Sequence, residues 1–172
     1  MMRNYFIVLL LSMFMSNTYC QGLLIEDLDA KSVEIQDGLY IVVNEASCGL
    51  CFTKINEIVT KVHKVNGKLP IFFLYNAKDI PLENRYLYEK QMREILKLEE
   101  IEFLFVAQTS PVSFSKNFEL GNEYSSPFLF CINNFHKETA ENKILSYPEL
   151  FRNSGNEKKF AKLIVQFFKV KV

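Results

Sequence analysis

The chain has 172 residues, 49% of them hydrophobic and 14% aromatic, enough for one domain with a sizeable core and too apolar for a disordered chain. Its 20 basic and 20 acidic side chains cancel, which gives no indication of nucleic acid or an anionic membrane surface as a partner. No internal repeat or low-complexity linker divides the sequence.

The N-terminus differs from the rest. Arg3 precedes an almost wholly apolar run from Tyr5 to Met15, and a more polar Ser16-Asn17-Thr18-Tyr19-Cys20 follows. A positive start, a short apolar middle and small residues before a cut describe a secretory signal over residues 1–20, leaving 21–172 as a single domain. A bilayer span takes roughly 20 apolar residues, so the run is too short for an ordinary transmembrane helix. The alternative is lipidation of Cys20, against which Asn17 stands where such a signal usually has Leu. An exported mature chain keeps Cys48, Cys51 and Cys131, an odd number for a disulfide framework. A domain of this size does not need staples, so a reactive pair is the better reading of Cys48 and Cys51.

Along the chain, Val33 and Ile35 are expected in a first strand, Asp37-Gly38 in a turn and Leu39 to Val43 in a buried strand, together a hairpin. Phe52, Ile55, Val59, Val62 and Val65 then recur at three and four, one face of a helix ending near Asn66-Gly67. The continuous apolar run after Pro70, up to Asn76, reads as a strand covered on both faces. A helix is expected from Glu83 to Leu98 with Tyr88, Met92, Ile95 and Leu96 inward, then a buried strand from Ile101 to Ala107. Residues 108–125 are less regular, with one helical turn around Phe114 to Leu120. Pro127 leads into a strand from Phe128 to Ile132, and Asn142 to Tyr147 supplies an edge strand. The last helix starts near Glu157, its Phe160, Leu163, Ile164, Phe167 and Phe168 at helical spacing and its lysines on the other face. This order implies an α/β fold: a mixed central sheet with parallel central strands, a right-handed first crossover and helices on both faces.

The chemistry concentrates in Cys48-Gly49-Leu50-Cys51, at a strand-to-helix junction. Unpaired N–H groups and the helix dipole favour negative charge at a helix start. Such a seat lowers a cysteine pKa from about 8.5 toward roughly 3.5–7.5, and the thiolate is the form that attacks disulfides. Cys51, one turn on, can attack a mixed disulfide formed by Cys48. Gly49 leaves room for another chain's backbone, and Leu50 offers it a small apolar contact. The other uses of the pair are a metal site and a permanent disulfide. A single Cys-x-x-Cys is weak for structural zinc. His63 falls three turns beyond the motif, His136 reads as a surface side chain, and Cys131 as a small buried hydrophobe. Pro127 has the plain role of starting a strand; in the cis form it would leave the backbone of Ser126 free to pair with a bound substrate strand.

Cys-x-x-Cys opening a helix after a buried strand, a Ser126-Pro127 step into a late strand and a terminal helix together resemble the thioredoxin superfamily. The added helix and strand between Glu83 and Ala107 look like its redoxin branch, more narrowly the exported TlpA-type thiol–disulfide oxidoreductases. The resemblance spans roughly residues 33 to 170. It implies a thioredoxin-like fold in which Cys48 is the nucleophile, Cys51 the resolving thiol, Pro127 a cis-proline facing them and Ser126 the residue whose backbone meets substrate. Two positions depart from the family: Ser47 stands where it usually has Trp, and Gly49-Leu50 where it has Gly-Pro.

The expected function is thiol–disulfide exchange with protein substrates in a bacterial periplasm, most simply as a reductant. The chain would act as a monomer re-reduced by a membrane-bound electron donor, with no cofactor. Two rivals use the same fold. In one, a copper- or zinc-binding metallochaperone-like module, His136 joins the two sulfurs and must come within ligand distance of both. In the other, a non-catalytic interaction domain, the disulfide is structural.

Overall fold

The computed structural model describes residues 23–43, 49–97, 101–110, 128–133, 141–145 and 157–169. In chain order these form β1 (Ile25–Glu26), β2 (Ser32–Val33), β3 (Gly38–Val42), α1 (Gly49–Val65), β4 (Ile71–Asn76) and a 3-10 turn (Leu82–Asn84). Then follow α2 (Arg85–Leu96), β5 (Glu102–Val106), β6 (Phe128–Asn133), β7 (Glu141–Leu145) and α3 (Glu157–Lys169).

All seven strands join one mixed sheet in the order β2-β1-β5-β4-β3-β6-β7. β3, β4 and β5 are parallel, as the two intervening helices require, with Leu39 opposite Ile71 and Phe73 opposite Phe103. β6 runs antiparallel to β3, placing Val42 opposite Phe128 and Gly38 opposite Ile132. β7 closes that side as the expected edge strand.

The continuous apolar strands divide their side chains between two cores because successive residues point to opposite faces. Leu39, Ile41, Phe73, Phe105 and Leu129 face one side, where they meet Ile55, Ile58 and Val62 of α1, Met92 and Leu96 of α2, and Phe160 and Ile164 of α3. Tyr40, Val42, Phe72, Leu74, Phe130 and Ile132 face the other, closed among the described residues by Leu23, Ile25 and Ile35. The three described helices therefore share one face. The helical turn expected around Phe114 to Leu120 lies outside the described residues, as does the N-terminal segment 1–22.

Three local expectations are corrected. β2 does not form a hairpin with β3; it pairs with β1, Ile25 opposite Val33. The carboxylate of Asp27 builds that turn by accepting from the backbone N–H groups of Asp29 and Lys31, both at 2.9 Å, while Ala30 takes a positive φ of 61°. Gly38 is not in a turn but opens β3, because a Cβ there would lie 2.6 Å from the Phe72 ring and 2.8 Å from the Pro70 carbonyl oxygen. Val65 and Ile95, expected inside, are each 59% exposed. In α1 the buried stripe runs through Ile58 and Val59 to Val62, and the helix ends before the stripe recurs. In α2 it runs through Arg85, Met92 and Leu96, leaving Ile95 turned off the core.

Candidate thiol site at the start of the first helix

The site is defined by what anchors it. α1 begins at Gly49, so Cys48 is the residue before the first helical position, Gly49 and Leu50 are the first two and Cys51 is the third. The first turn carries no acidic residue, so none of its own side chains offsets the positive end of the helix dipole. Burial of Phe52 and Ile55 fixes this end of α1 to the sheet. Cys48 itself, and the side chains of Gly49 to Cys51, lie outside the described residues.

Sheet register supplies the second anchor. β3 leads to Cys48, and its last residue, Val42, is paired with Phe128, the first residue of β6. The bond from the Val43 N–H to the Leu74 carbonyl, 3.0 Å, extends the parallel pairing one residue beyond the strand. Phe128, the residue after Pro127 in the chain, thus lies directly beside the strand that precedes the cysteine pair. Ser126 and Pro127, including the isomer of that bond, lie outside the described residues.

The segment that holds His136, residues 134–140, lies outside the described residues, and only its flanks are placed, by β6 and β7. β6 leaves the thiol edge at Phe128 and ends at Asn133, about 17 Å away at 3.4 Å per residue. Asn133 pairs with Glu141, so both ends of segment 134–140 are held at the edge where β3 starts. Chain reach from Asn133 to His136 is at most about 11 Å. α1, about 25 Å long, runs back over the sheet and ends at that same far edge, where His63 occupies its last turn. His63 is thus at the end of α1 opposite Gly49 to Cys51. No group of three or more His, Cys, Asp or Glu side chains that could hold a metal ion occurs among the described residues. Cys131 is fully buried in β6, in keeping with its reading as a small hydrophobe.

Two further polar features flank the helix face. Tyr75, near the end of β4, is buried against Tyr88 with ring centroids 5.1 Å apart. Burial, more than the neighbouring phenol, pushes its ionisation far above the ordinary tyrosine range, so it stays neutral. Glu157, at the start of α3, accepts from Lys54 of α1 at 3.4 Å. Its carboxyl is held below the usual range, first by a bond from its own backbone N–H and then by Lys54. Sequence periodicity carried no signal for that cross-helix pair.

A mixed sheet with β3-α1-β4 at its centre, the cysteine pair at the head of α1 and an antiparallel β6–β7 pair followed by a terminal helix is a thioredoxin-like fold. The chain is similar to the structure of Bradyrhizobium japonicum ScoI with copper bound, at a TM-score of 0.53 and 10% sequence identity, over 85% of this chain and 97% of that one. No protein-family model matches the sequence, and no curated protein matches it.

Proposed function

We propose that Cys48 and Cys51 form a dithiol that takes up copper(I) as cargo, on a thioredoxin-like scaffold. The observation carrying this reading is the likeness in fold to a copper-bound protein, spanning nearly that whole chain, in a sequence with two cysteines at the head of α1. Two thiolates are soft donors and suit copper(I) over the harder divalent ions. Binding would displace the thiol protons, so uptake should strengthen as pH rises. The flanks of the segment holding His136 lie at the opposite edge of the sheet, and the dithiol reading assigns that side chain no role. With residues 1–20 read as an export signal, the site would work in the periplasm, with the lipid anchor at Cys20 as the alternative. Among the described residues no helix is long and apolar enough to cross a membrane.

The test is competition for copper(I) against a coloured chelator, without oxygen, on the reduced chain. One copper per chain is expected for wild type and for His136→Ala, with loss of binding in Cys48→Ser and in Cys51→Ser. Undiminished binding in both cysteine variants would sink the proposal.

The same sulfurs support a second reading, favoured by the uncompensated N-terminus of α1: thiol–disulfide exchange with protein substrates. Cys48 thiolate would attack a substrate disulfide, forming a mixed disulfide and releasing one substrate thiolate. Cys51 would then displace the second, leaving a Cys48–Cys51 disulfide for a membrane-bound donor to reduce. The backbone of Ser126, beside Pro127, would align the substrate strand. Insulin reduction distinguishes the two: activity abolished by Cys48→Ser supports exchange, and background activity in the wild type rules it out. A potential near about −270 mV would mark a reductant, and one near about −120 mV an oxidant.

A further inference from the structure

The solvent side of the α1–α3 pair carries a groove of about 600 Å³ that neither reading of the cysteines uses. Its floor is Val65 of α1 with Ala161 and Val165 of α3. Val65, left 59% exposed, is the apolar residue that helical spacing would have turned inward. Each wall bears its own pair of lysines: Lys61 and Lys64 on α1, Lys158 and Lys162 on α3. Spacings of three and four put each pair on one side of its helix, so two cationic rows run along an apolar trough.

Little on this surface neutralises those rows. Lys61 has Glu57 at 3.7 Å, the preceding turn of its own helix. Glu157, the acidic residue at the head of α3, is engaged by Lys54 across the two helices. Lys64, Lys158 and Lys162 form no ion pair among the described residues. The whole chain is neutral, so this is a local accumulation of charge.

We infer that the groove receives an amphipathic helix of a partner protein, its apolar ridge seated on Val65, Ala161 and Val165 and flanked by acidic residues facing the two lysine rows. An apolar stripe with charged flanks is the pattern by which helices dock into helix-lined grooves, the flanks setting orientation and partner choice. Matching rows on both walls favour such an occupant over a single-headed anionic amphiphile, whose one charge would meet only one end of the trough.

The test uses the full chain and a labelled synthetic helix of about 18 residues, long enough to hold helical structure, with a Leu/Val ridge between two rows of Glu. A twin carries Lys in place of Glu. Fluorescence anisotropy should show saturable binding of the acidic helix that weakens as salt is raised. The exposed double variant Lys64→Glu/Lys158→Glu should bind it at least about tenfold more weakly and should gain affinity for the basic twin, since like charges now face each other in the first complex and not in the second. Amide shifts on binding should cluster at Val65, Ala161 and Val165. Equal binding of the two helices, no saturable binding, or affinity untouched by charge reversal would overturn the inference. So would dodecanoate that occupies the groove and excludes the acidic helix, which would assign it to an anionic amphiphile. Copper uptake in the double variant should be unchanged, so this result stands or falls apart from the dithiol proposal.

Discussion

The two faces of the sheet are filled by different means. On the helix face, side chains from three helices converge on β3, β4, β5 and β6, and the core is thick and mostly aliphatic between the aromatic strand residues. The strands supply large rings to both faces; on the face without described helices Tyr40 stacks on Phe72 at 4.7 Å, and Phe130 meets Tyr40 edge-on at 6.5 Å. What closes that layer, among the described residues, is an N-terminal stretch with two-residue strands. A helix face tolerates no gap but can distribute its contacts over many partners. The opposite face depends on a few close approaches, at Gly38 and at the Tyr40 hydroxyl.

That contrast can be broken most strongly on the helix face. Ile58 is 1% exposed in the middle of α1, so Ile58→Ala should leave a cavity and cost about 2–5 kcal/mol, read from urea midpoints. On the opposite face, Gly38→Ala adds a methyl where the Phe72 ring and Pro70 carbonyl oxygen already stand under 3 Å away. Phe72 is stacked and buried and the carbonyl is backbone, so a loss of about 1–3 kcal/mol is expected in the same measurement. Tyr40→Phe keeps the ring but removes a hydroxyl that donates to the Gln36 carbonyl at 2.9 Å and accepts from the Gln36 N–H at 3.0 Å. About 1 kcal/mol should be lost, with faster amide exchange at Gln36.

The smallest effect is electrostatic and returns to the helix face. Glu157 has a folded-state pKa below its ordinary 4.5, so its contribution is complete above that value and lost as pH falls through the lower folded value. Glu157→Gln should therefore be slightly less stable than wild type at pH 7, by about 0.5 kcal/mol or less given solvent screening, and the gap should close in acid. A gap that widened as pH fell would contradict the assignment.

Much of this was legible in the chain because apolar spacing reports local geometry directly. β4, β6, α1 and α3 stand where the runs and periods put them, and Gly49 to Cys51 open a helix as expected. Gly38 misled because glycine has two uses: beside Asp37 it reads as a turn, whereas here it admits the ring of Phe72, a residue 34 positions away. The turn that does form depends on Asp27 folding back on its own backbone, a signal confined to one side chain. For the candidate site, the sequence named the sulfurs and the proline. It could not say that the segment with His136 is tied at both ends to the opposite edge.

By itself, then, the sequence determined most of the strands and helices (β1 excepted), which strands are buried on both faces and where the Cys-x-x-Cys pair falls relative to a helix start. Those follow from the fixed 2.0 and 3.6 periods of the backbone and from dipole alignment within one element. Tertiary structure alone decided that β2 pairs with β1, that Val65 ends in a lysine-walled groove and that Asn133 and Glu141 are paired at the edge where β3 starts. Each of these depends on strand order and register, which are set by contacts between residues distant in the chain and leave no periodic trace within it.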